Sequence, residues 1–339
     1  TGDLDFVRLT LPTLEKEQLF FDAHRRITLP SVDIPLYRYK VDADGPRPES
    51  FREDVESAEH ISDLLEKKRL WGDIAAAAES GRDFSSRWFE NDGPMAGQMG
   101  STRTSNILPV DLNSIICGNL RMLSEMYFAL EEDETGKRAK ERHLLMKEAI
   151  KQMFWNESEG CWFDWDLHNQ RHVLIYFDTN FFPLFTESYH DDLDSSRIVA
   201  YLGKVGALAC PGGLPSSMIP SGQQWDFPNA WAPPSWVVIQ GLRKVGETES
   251  ALAIAEKWIR RNFAIWVSSG GIMFEKYDVV SGCTKKSPAS GGEYEVQEGF
   301  GWTNGVILDL LTTYGDVLEV KTEATCECCG GTQEQCPIQ

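Results

Sequence analysis

Acidic residues that stand next to arginines and aromatic rings are the residues of this chain best suited to chemistry. They recur in six polar stretches, at 47–50, 83–88, 162–166, 224–231, 275–278 and 293–302. Aromatic rings stack against the CH faces of a sugar, while carboxylate and guanidinium groups bind its hydroxyls. The pattern therefore favours a carbohydrate site. For any one stretch, the alternative is that the rings simply pack a loop onto the core.

Hydrolysis of a sugar linkage needs two carboxyl groups, one to donate a proton and one to activate water or attack carbon. Asp83 lies between Arg82 and Arg87, and Glu275 follows an apolar run at 272–274. Taken alone, Asp83 fits better as the N-cap of the turn that follows it, and Glu275 also fits as a surface strand neighbour of Lys276. Sequence periodicity leaves the choice of the catalytic pair open.

The stretch 291–305 combines a glycine-rich bend, carboxylates and two aromatic rings just before an apolar helix. Glycine lets a backbone approach a ligand without a Cβ clash, so the stretch is typical of a loop that covers a binding site. The alternative is an ordinary loop in which Thr303 caps the next helix.

Other chemistries have little support in the sequence. The six histidines form neither His-x-x-x-His nor His-Glu-x-x-His, so no metal is expected, and no phosphate-cradling glycine pattern or Gly-x-Ser-x-Gly turn is present. We expect no cofactor. The 33 basic residues against 52 acidic ones, a net charge of −19, argue against nucleic acid as a partner. No apolar run reaches the ~20 residues of a transmembrane segment.

The elements that position these residues are predicted to be mostly helices. Helical spacing of apolar residues, together with capping and breaking residues, predicts helices over 13–26, from 51 to about 68, 111 onward, 136–155, 194–205, 235–245, 249–267 and 303–314. Ser50 and Glu53 fit a capping box for the second helix, and Asp111 fits the cap of the third. Only 162–166 and 271–277 resemble strands. Such a chain favours stacked helical hairpins.

The eight cysteines fall into two groups. Cys117, Cys161, Cys210 and Cys283 are scattered and predicted to be small buried hydrophobes, whereas four more crowd the segment 326–336. We therefore divide the chain into a catalytic domain at 1–320 and a flexible tail at 321–339.

Several of these stretches resemble the motifs of the trehalases, inverting glycoside hydrolases that split α,α-trehalose into two glucose molecules. Residues 224–233, Gln-Trp-Asp-Phe-Pro-Asn-Ala-Trp-Ala-Pro, are similar to one signature of that family, and 299–305, Gly-Phe-Gly-Trp-Thr-Asn-Gly, are similar to its glycine-rich lid motif. Further matches follow the family order at 47–50, 79–88, 109–113 and 275–278. The resemblance covers about residues 12 to 315.

The resemblance implies an all-α fold, the (α/α)6 toroid, and a disaccharide substrate. It implies that Asp83 is the general acid and Glu275 the general base. It also implies substrate binding by Arg47, Glu49, Asp226, Trp231 and Glu293. The matches look animal-like, and with one glycosylation sequon at 156–158 they lead us to expect a secreted or extracellular protein, with the cytoplasm as the alternative.

The chain also departs from the family pattern. An N-terminal signature is absent, the lid has a shortened glycine run, and Arg82 stands where the family usually has an aromatic residue. We therefore expect an incomplete toroid with N-terminal hairpins missing. The alternative function is a catalytically inactive sugar-binding or structural relic. If Arg82 points inward, its cation should lower the pKa of Asp83, which is the wrong direction for a proton donor.

Overall fold

The computed structural model describes residues 2–29, 32–280, 289, 291–292 and 294–318. Helices dominate this part of the chain. They are α1 (Leu4–His24), α2 (Phe51–Ser57), α3 (Leu64–Glu79), α4 (Val110–Ala129), α5 (Asp133–Phe154), α6 (Phe182–Thr186), α7 (Ser196–Lys204), α8 (Ala232–Lys244), α9 (Thr248–Ser269) and α10 (Gly301–Tyr314). Across these residues, no helix combines the length and apolarity needed to cross a membrane.

Helical hairpins form the body of the fold. In α4, Leu112, Ile116, Leu120 and Leu123 recur every three or four residues and are all buried, which gives the helix one apolar face. That face packs against α5, and α4 also contacts α6. The packing then continues from α6 to α8, and from α8 to both α9 and α10. One hydrophobic core runs through these helices, as the sequence pattern predicts.

The strands are short and lie in the connections between helices. They are β1 (Arg26–Leu29), β2 (Val32–Tyr37), β3 (Ile107–Leu108), β4 (Trp155–Asn156), β5 (Cys161–Trp162), β6 (Trp165–Asp166), β7 (Arg171–His172), β8 (Asn229–Trp231) and β9 (Lys276–Asp278). They pair antiparallel as β1–β2, β3–β6–β7, β4–β5 and β8–β9. In the last pair Trp231 lies opposite Lys276, so the stretches 224–231 and 275–278 come side by side.

A second, smaller core fixes the segment that follows α3. Leu70, Ile74 and Ala77 of α3 pack with Phe84 and Trp88, all of them buried. The residues on either side of Asp83 are therefore anchored to a helix although they lie in a connection.

Several predicted boundaries are confirmed. Helices α5, α7, α8, α9 and α10 lie within a few residues of their predicted positions. Residues 162–166 contribute to two short strands, whereas the strand predicted at 271–277 is confined to Lys276–Asp278.

The predicted N-terminal helix boundaries are wrong. Helix α1 begins at Leu4 and carries Pro12 inside it, and Asp3 caps it by accepting a hydrogen bond from the Phe6 amide. Instead of one helix from 51 to about 68, the chain forms α2 and α3 with a break between them, and the Ser50 side chain makes no cap. Asp63 caps α3 by accepting from the Glu66 amide at 2.9 Å. Local patterns predicted that helices occur here but not where they begin and end, because several Asp and Ser residues compete as caps.

Burial confirms the prediction for three of the scattered cysteines, since Cys117, Cys161 and Cys210 are all buried. Cys283 and the predicted tail at 321–339 lie outside the described residues. At the sequon, the Asn156 side-chain oxygen accepts from Ser158 and from the Glu159 amide, and its nitrogen lies 3.3 Å from His172 Nδ1. The Asn156 side chain thus makes hydrogen bonds with its neighbours, and the expectation of secretion stays a prediction.

Two helical glycines offer a matched test of the packing. A Cβ at Gly72 in α3 would lie 2.5 Å from the backbone oxygen of Val41, whereas a Cβ at Gly203 in α7 would meet nothing within 4 Å. Gly72→Ala should therefore lower the free energy of unfolding by about 1–3 kcal/mol through overpacking. Gly203→Ala should raise it by roughly 0.5–1 kcal/mol through helix propensity. Urea unfolding of both variants measures the two changes, and equal effects would contradict this description of α3.

Candidate active site

Asp83 lies in the turn that links α3 to the next short helix. Gly81 takes a φ of 73°, a conformation that favours glycine, and the chain then turns away from the helix axis. The 3-10 helix Ser86–Trp88 is capped by Ser85, whose hydroxyl accepts from the Arg87 amide at 3.1 Å. The alternative reading of Asp83 as this cap is therefore wrong. The carboxylate of Asp83 is half-buried and is left available for another role.

The Asp226 carboxylate holds residues 83–88 in place, and these residues are called the acid segment because they begin with the predicted acid, Asp83. It accepts four hydrogen bonds, from the Ser85 hydroxyl at 3.0 Å, the Ser86 amide at 2.6 Å, the Ser217 hydroxyl at 2.8 Å and the Ser221 hydroxyl at 2.5 Å. Its side chain has no exposed surface. This geometry supports a role in positioning the segment around Asp83, and direct contact between Asp226 and a substrate stays a prediction.

Glu275 immediately precedes β9 and is 3% exposed. Its amide donates to the backbone oxygen of Gln297 at 3.0 Å, and its Oε1 accepts from the Tyr294 hydroxyl at 2.9 Å. Among the described residues, no group hydrogen-bonds to its Oε2, although that atom is buried. One carboxylate oxygen is therefore held, and the other can accept a proton from a small molecule such as water.

The two predicted catalytic carboxyls share one electrostatic environment. Burial raises the pKa of Asp83, against the lowering effect of the Arg47 and Lys276 charges. Burial also raises the pKa of Glu275, and the negative charge of Asp83 raises it further, against a hydrogen bond from Tyr294 and the charge of Lys276. Residues 192 positions apart in sequence therefore meet in one site. Their assigned roles remain predictions.

Aromatic rings line the region beside the two carboxyls. The rings of Trp225 and Trp231 stack with their centroids 3.9 Å apart and their planes 4° from parallel. Trp302 meets Trp231 edge-on at 5.7 Å, and its indole nitrogen donates to the backbone oxygen of Glu275 at 3.0 Å. Trp231 is only 1% exposed. Its main contribution is thus to fix the wall of the site, and sugar contact by its ring stays a prediction.

Arg82 does not affect Asp83 in the way that an inward-pointing cation would. Its guanidinium pairs with Asp178 at 2.7 Å and lies over the Trp225 ring, 4.8 Å from the centroid. The charges that lower the pKa of Asp83 are those of Arg47 and Lys276. The basic residue in an unusual position is therefore neutralised by its own buried partner.

The other predicted binding residues fall in different places. Arg47 is buried, pairs with Asp54 at 2.8 Å and lies over the Phe84 ring at 4.9 Å, so it stands close to the acid segment. Glu49 is exposed on the short helical turn that follows Arg47. Glu293 lies outside the described residues.

A buried ion-pair network that the sequence did not predict supports the site. The Arg87 guanidinium donates to both oxygens of Asp164, at 2.7 and 2.8 Å, and to both oxygens of Asp111, at 2.9 and 2.7 Å. Burial acts to lower the pKa of Arg87, but these contacts raise it well above its usual value. Burial acts to raise the pKa of Asp111, but the Arg87 charge lowers it. Asp111 therefore anchors the acid segment to α4, instead of capping the helix as predicted. The sequence offered no local pattern for this network, because Asp111 and Asp164 are both distant from Arg87 along the chain.

Lys276 was also missed. The sequence suggested a surface lysine beside Glu275, but the side chain is fully buried in β9 and donates to Gln224 Oε1 at 2.7 Å. A lysine between a glutamate and a tyrosine gives no local sign that it will be enclosed. Its burial depends on β8 and on residues near 291, which are distant in sequence.

Comparison with known proteins places the chain within one family. The family model described as Trehalase matches residues 1–315. The trehalase of Pimpla hypochondriaca is 41% identical over 93% of this chain and 54% of the relative, and that of Oryctolagus cuniculus is 40% identical over 95% and 56%. The chain therefore spans just over half the length of these curated relatives.

Solved structures agree with the helical architecture. Neutral trehalase Nth1 from Saccharomyces cerevisiae superposes with a TM-score of 0.70 at 22% identity, over 91% of this chain and 57% of the other. The GH63 mannosylglycerate hydrolase from Thermus thermophilus in complex with glucose gives a TM-score of 0.56 at 17% identity, over 91% and 69%. These likenesses confirm the predicted class, a fold of the (α/α)6 toroid type.

Carboxylates with opposite pKa shifts should respond oppositely to neutralisation. Because the pKa of Glu275 is raised in the folded protein, its ionisation costs stability as pH rises through that pKa, so Glu275→Gln should raise the melting temperature at pH 7. The gain should vanish below pH ~4, where wild-type Glu275 is protonated in both states.

Asp111→Asn is the matched contrast. The pKa of Asp111 is lowered by Arg87, so its ionised form stabilises the fold, and this variant should melt at a lower temperature at pH 7. The loss should shrink as pH falls through the folded-state pKa. Thermal melts of both variants from pH 3 to 8 give the comparison, and shifts of the same sign at pH 7 would contradict the electrostatics described.

Proposed function

The chain belongs to the trehalase family, and from that premise we propose that it hydrolyses α,α-trehalose to two glucose molecules with inversion at one anomeric carbon. The observation that carries the proposal is the approach of Asp83 and Glu275 in one site, where the charge of Asp83 raises the pKa of Glu275 and the charge of Lys276 lowers the pKa of both. Glycoside hydrolysis requires such a pair of carboxyl groups.

Asp83 is proposed as the general acid. Burial raises its pKa, which keeps a larger fraction of the carboxyl protonated near neutral pH and so able to donate. Its proton passes to the bridging oxygen as the bond from that oxygen to the anomeric carbon breaks. The first glucose then leaves as a neutral alcohol.

Glu275 is proposed as the general base. The Tyr294 hydroxyl holds its Oε1 at 2.9 Å, and its Oε2 has no partner among the described residues. That second oxygen takes a proton from water as the water oxygen attacks the anomeric carbon on the face opposite to the departing oxygen. Inversion requires room for the water, so the two carboxyls should stand ~6.5–9.5 Å apart when substrate is bound. The products are one β-glucose and one α-glucose.

Substrate hydroxyls are proposed to meet Arg47, Glu49 and Glu293. Arg47 offers a buried cation near the acid, and Glu49 an exposed carboxylate on the adjacent turn. Asp226 and Trp231 are also proposed to bind substrate, and because both are almost wholly enclosed they shape the subsite as well. A secreted location, with the cytoplasm as the alternative, remains a proposal that rests on the animal-like resemblance and on the sequon at 156–158.

A second candidate function is a sugar-binding or structural protein without catalysis. It is favoured by one observation, the coverage of only 54–56% of the trehalases of Pimpla hypochondriaca and Oryctolagus cuniculus. If wall residues of the toroid are needed to enclose water and substrate, this chain binds sugar without turning it over. The two candidates differ in glucose release, not in fold.

Asp83→Asn should lower kcat for trehalose by a factor of ~10²–10⁴, because asparagine keeps the shape but cannot donate the proton. The matched control is Asp73→Asn, in which a buried aspartate of α3 whose pKa is also raised is changed in the same way. Glucose release by the purified chain, with cooperative melting verified for each variant, provides the measurement. Near-normal turnover by Asp83→Asn would exclude Asp83 as the acid.

Two further readouts of the same assay separate the alternatives. Proton NMR of the first products should show equal α- and β-glucose, and α-glucose alone would argue for retention. Trehalose should be hydrolysed faster than maltose, and the reverse order would assign the site to another α-glucoside. A folded wild-type chain that binds trehalose but releases no glucose would establish the second candidate.

A further inference from the structure

We propose that Lys276 is a positioning residue for the reaction. Through Gln224, its side chain links the backbone of Asp83, the proposed acid, to the segment that carries Glu275, the proposed base. This inference rests on the proposed function in naming a reaction. The contacts on which it stands do not depend on that function, and they join three stretches that are far apart in the sequence.

The first arm of the tie runs from Lys276 to Asp83. The Lys276 ammonium donates to Gln224 Oε1 at 2.7 Å, and the Gln224 side-chain nitrogen donates to the backbone oxygen of Asp83. Lys276 is covalently next to Glu275, so a single carboxamide links the segments that carry the two catalytic carboxyls. Gln224 is itself 1% exposed and accepts through its backbone oxygen from the Trp231 indole at 3.0 Å, which fixes its position.

The second arm runs to the glycines before Tyr294. Lys276 Nζ also donates to the backbone oxygen of Gly291 at 2.9 Å. A Cβ at Gly292 would lie 2.7 Å from Gln224 Oε1, and φ there is 101°, so this close approach requires glycine. Tyr294, two residues on, donates to Glu275 Oε1. One ammonium thus also secures the backbone that leads to the tyrosine which orients the base.

The surroundings of Lys276 show why it acts through other residues. Its side chain is 0% exposed and lies over the rings of Trp231 and Tyr294, at 5.2 and 5.5 Å from their centroids, so it cannot touch a substrate in the open part of the site. The charged groups that face it are Glu275 and Asp83. Burial lowers the pKa of Lys276 to about 8, while those two carboxylates act to raise it.

The charge of Lys276 also acts on both carboxyls. It lowers the pKa of Asp83 and of Glu275, and so opposes the effect of burial on each. The lysine therefore has two separable effects, a hydrogen-bonded tie that sets geometry and a charge that keeps Glu275 ionised. A lysine with a merely structural role would produce neither effect on the carboxyl pKa values nor a selective effect on turnover.

The charge effect is tested by Lys276→Met, which keeps the length of the side chain and removes its charge. Carbon-13 NMR titration of the Asp83 and Glu275 carboxyl groups should show both pKa values raised relative to the wild type. The matched control is Lys257→Met, because Lys257 also has a pKa lowered by burial and donates to a backbone oxygen, that of Leu208 at 2.5 Å. The control should leave both carboxyl pKa values unchanged.

The tie is tested separately by Gln224→Met, which breaks the link to Asp83 but leaves the charge of Lys276 in place. Misplaced reacting groups lower rate without removing substrate contacts, so kcat for trehalose should fall ~10–100-fold while KM stays within about threefold. The Glu275 pKa should remain near its wild-type value in this variant. The double variant Lys276→Met/Gln224→Met should lose less activation free energy than the sum of the losses in the two single variants, because both substitutions break the same tie.

Two results would overturn the inference. A folded Lys276→Met whose carboxyl pKa values match those of Lys257→Met, or a folded Gln224→Met with normal kcat, would overturn it. If Lys276→Met fails to melt cooperatively, Gln224→Met alone decides. If the wild-type chain releases no glucose, the proposed function fails, yet the NMR titration still supports or overturns the action of Lys276 on the two carboxyls.

Discussion

The buried ion pairs of Arg87 are the interaction on which the rest of this structure depends. One guanidinium satisfies two carboxylates, that of Asp111 at the start of α4 and that of Asp164 between β5 and β6. Asp164 also accepts from the Val110 amide at 2.9 Å. The acid segment, a core helix and a loop are thereby joined at a point with almost no solvent. Removal of one partner from such a pair costs about 3–5 kcal/mol, so its geometry is strongly enforced.

The carboxylates of the site fall into two classes. Asp111 and Asp226 are supplied with donors, so they hold loops in place with a full set of hydrogen bonds. Asp83 and Glu275 are enclosed with fewer donors than they could accept, and burial raises the pKa of each. The first two carboxylates stabilise the fold through their hydrogen bonds, whereas ionisation of Asp83 and Glu275 costs free energy in the folded protein. Chemistry is expected of the second class, because perturbed carboxyls in a cleft can exchange protons near neutral pH.

The helices were largely predictable, since the apolar face of a helix such as α4 consists of residues that lie three and four positions apart in the sequence. The start of α1 at Leu4 and the break between α2 and α3 were not, because a local cap signal does not say which of several candidates the chain will use. In the site, the resemblance of whole motifs selected Asp83 and Glu275, while periodicity alone could not. Lys276 and Arg87 were missed or misjudged, since a charged residue between polar neighbours has the same local pattern whether it is exposed or enclosed.

The sequence by itself determined a helical fold, the absence of a basic surface and the order of motifs that identifies the family. These follow from local spacing and composition, which act over one helix or one loop. Only the tertiary structure decided which acid is held by four donors, which arginine is neutralised by Asp178, and which lysine lies between the two carboxyls. Each of those properties depends on groups contributed by distant segments, and the pKa shifts and these hydrogen bonds arise only once those segments are packed together.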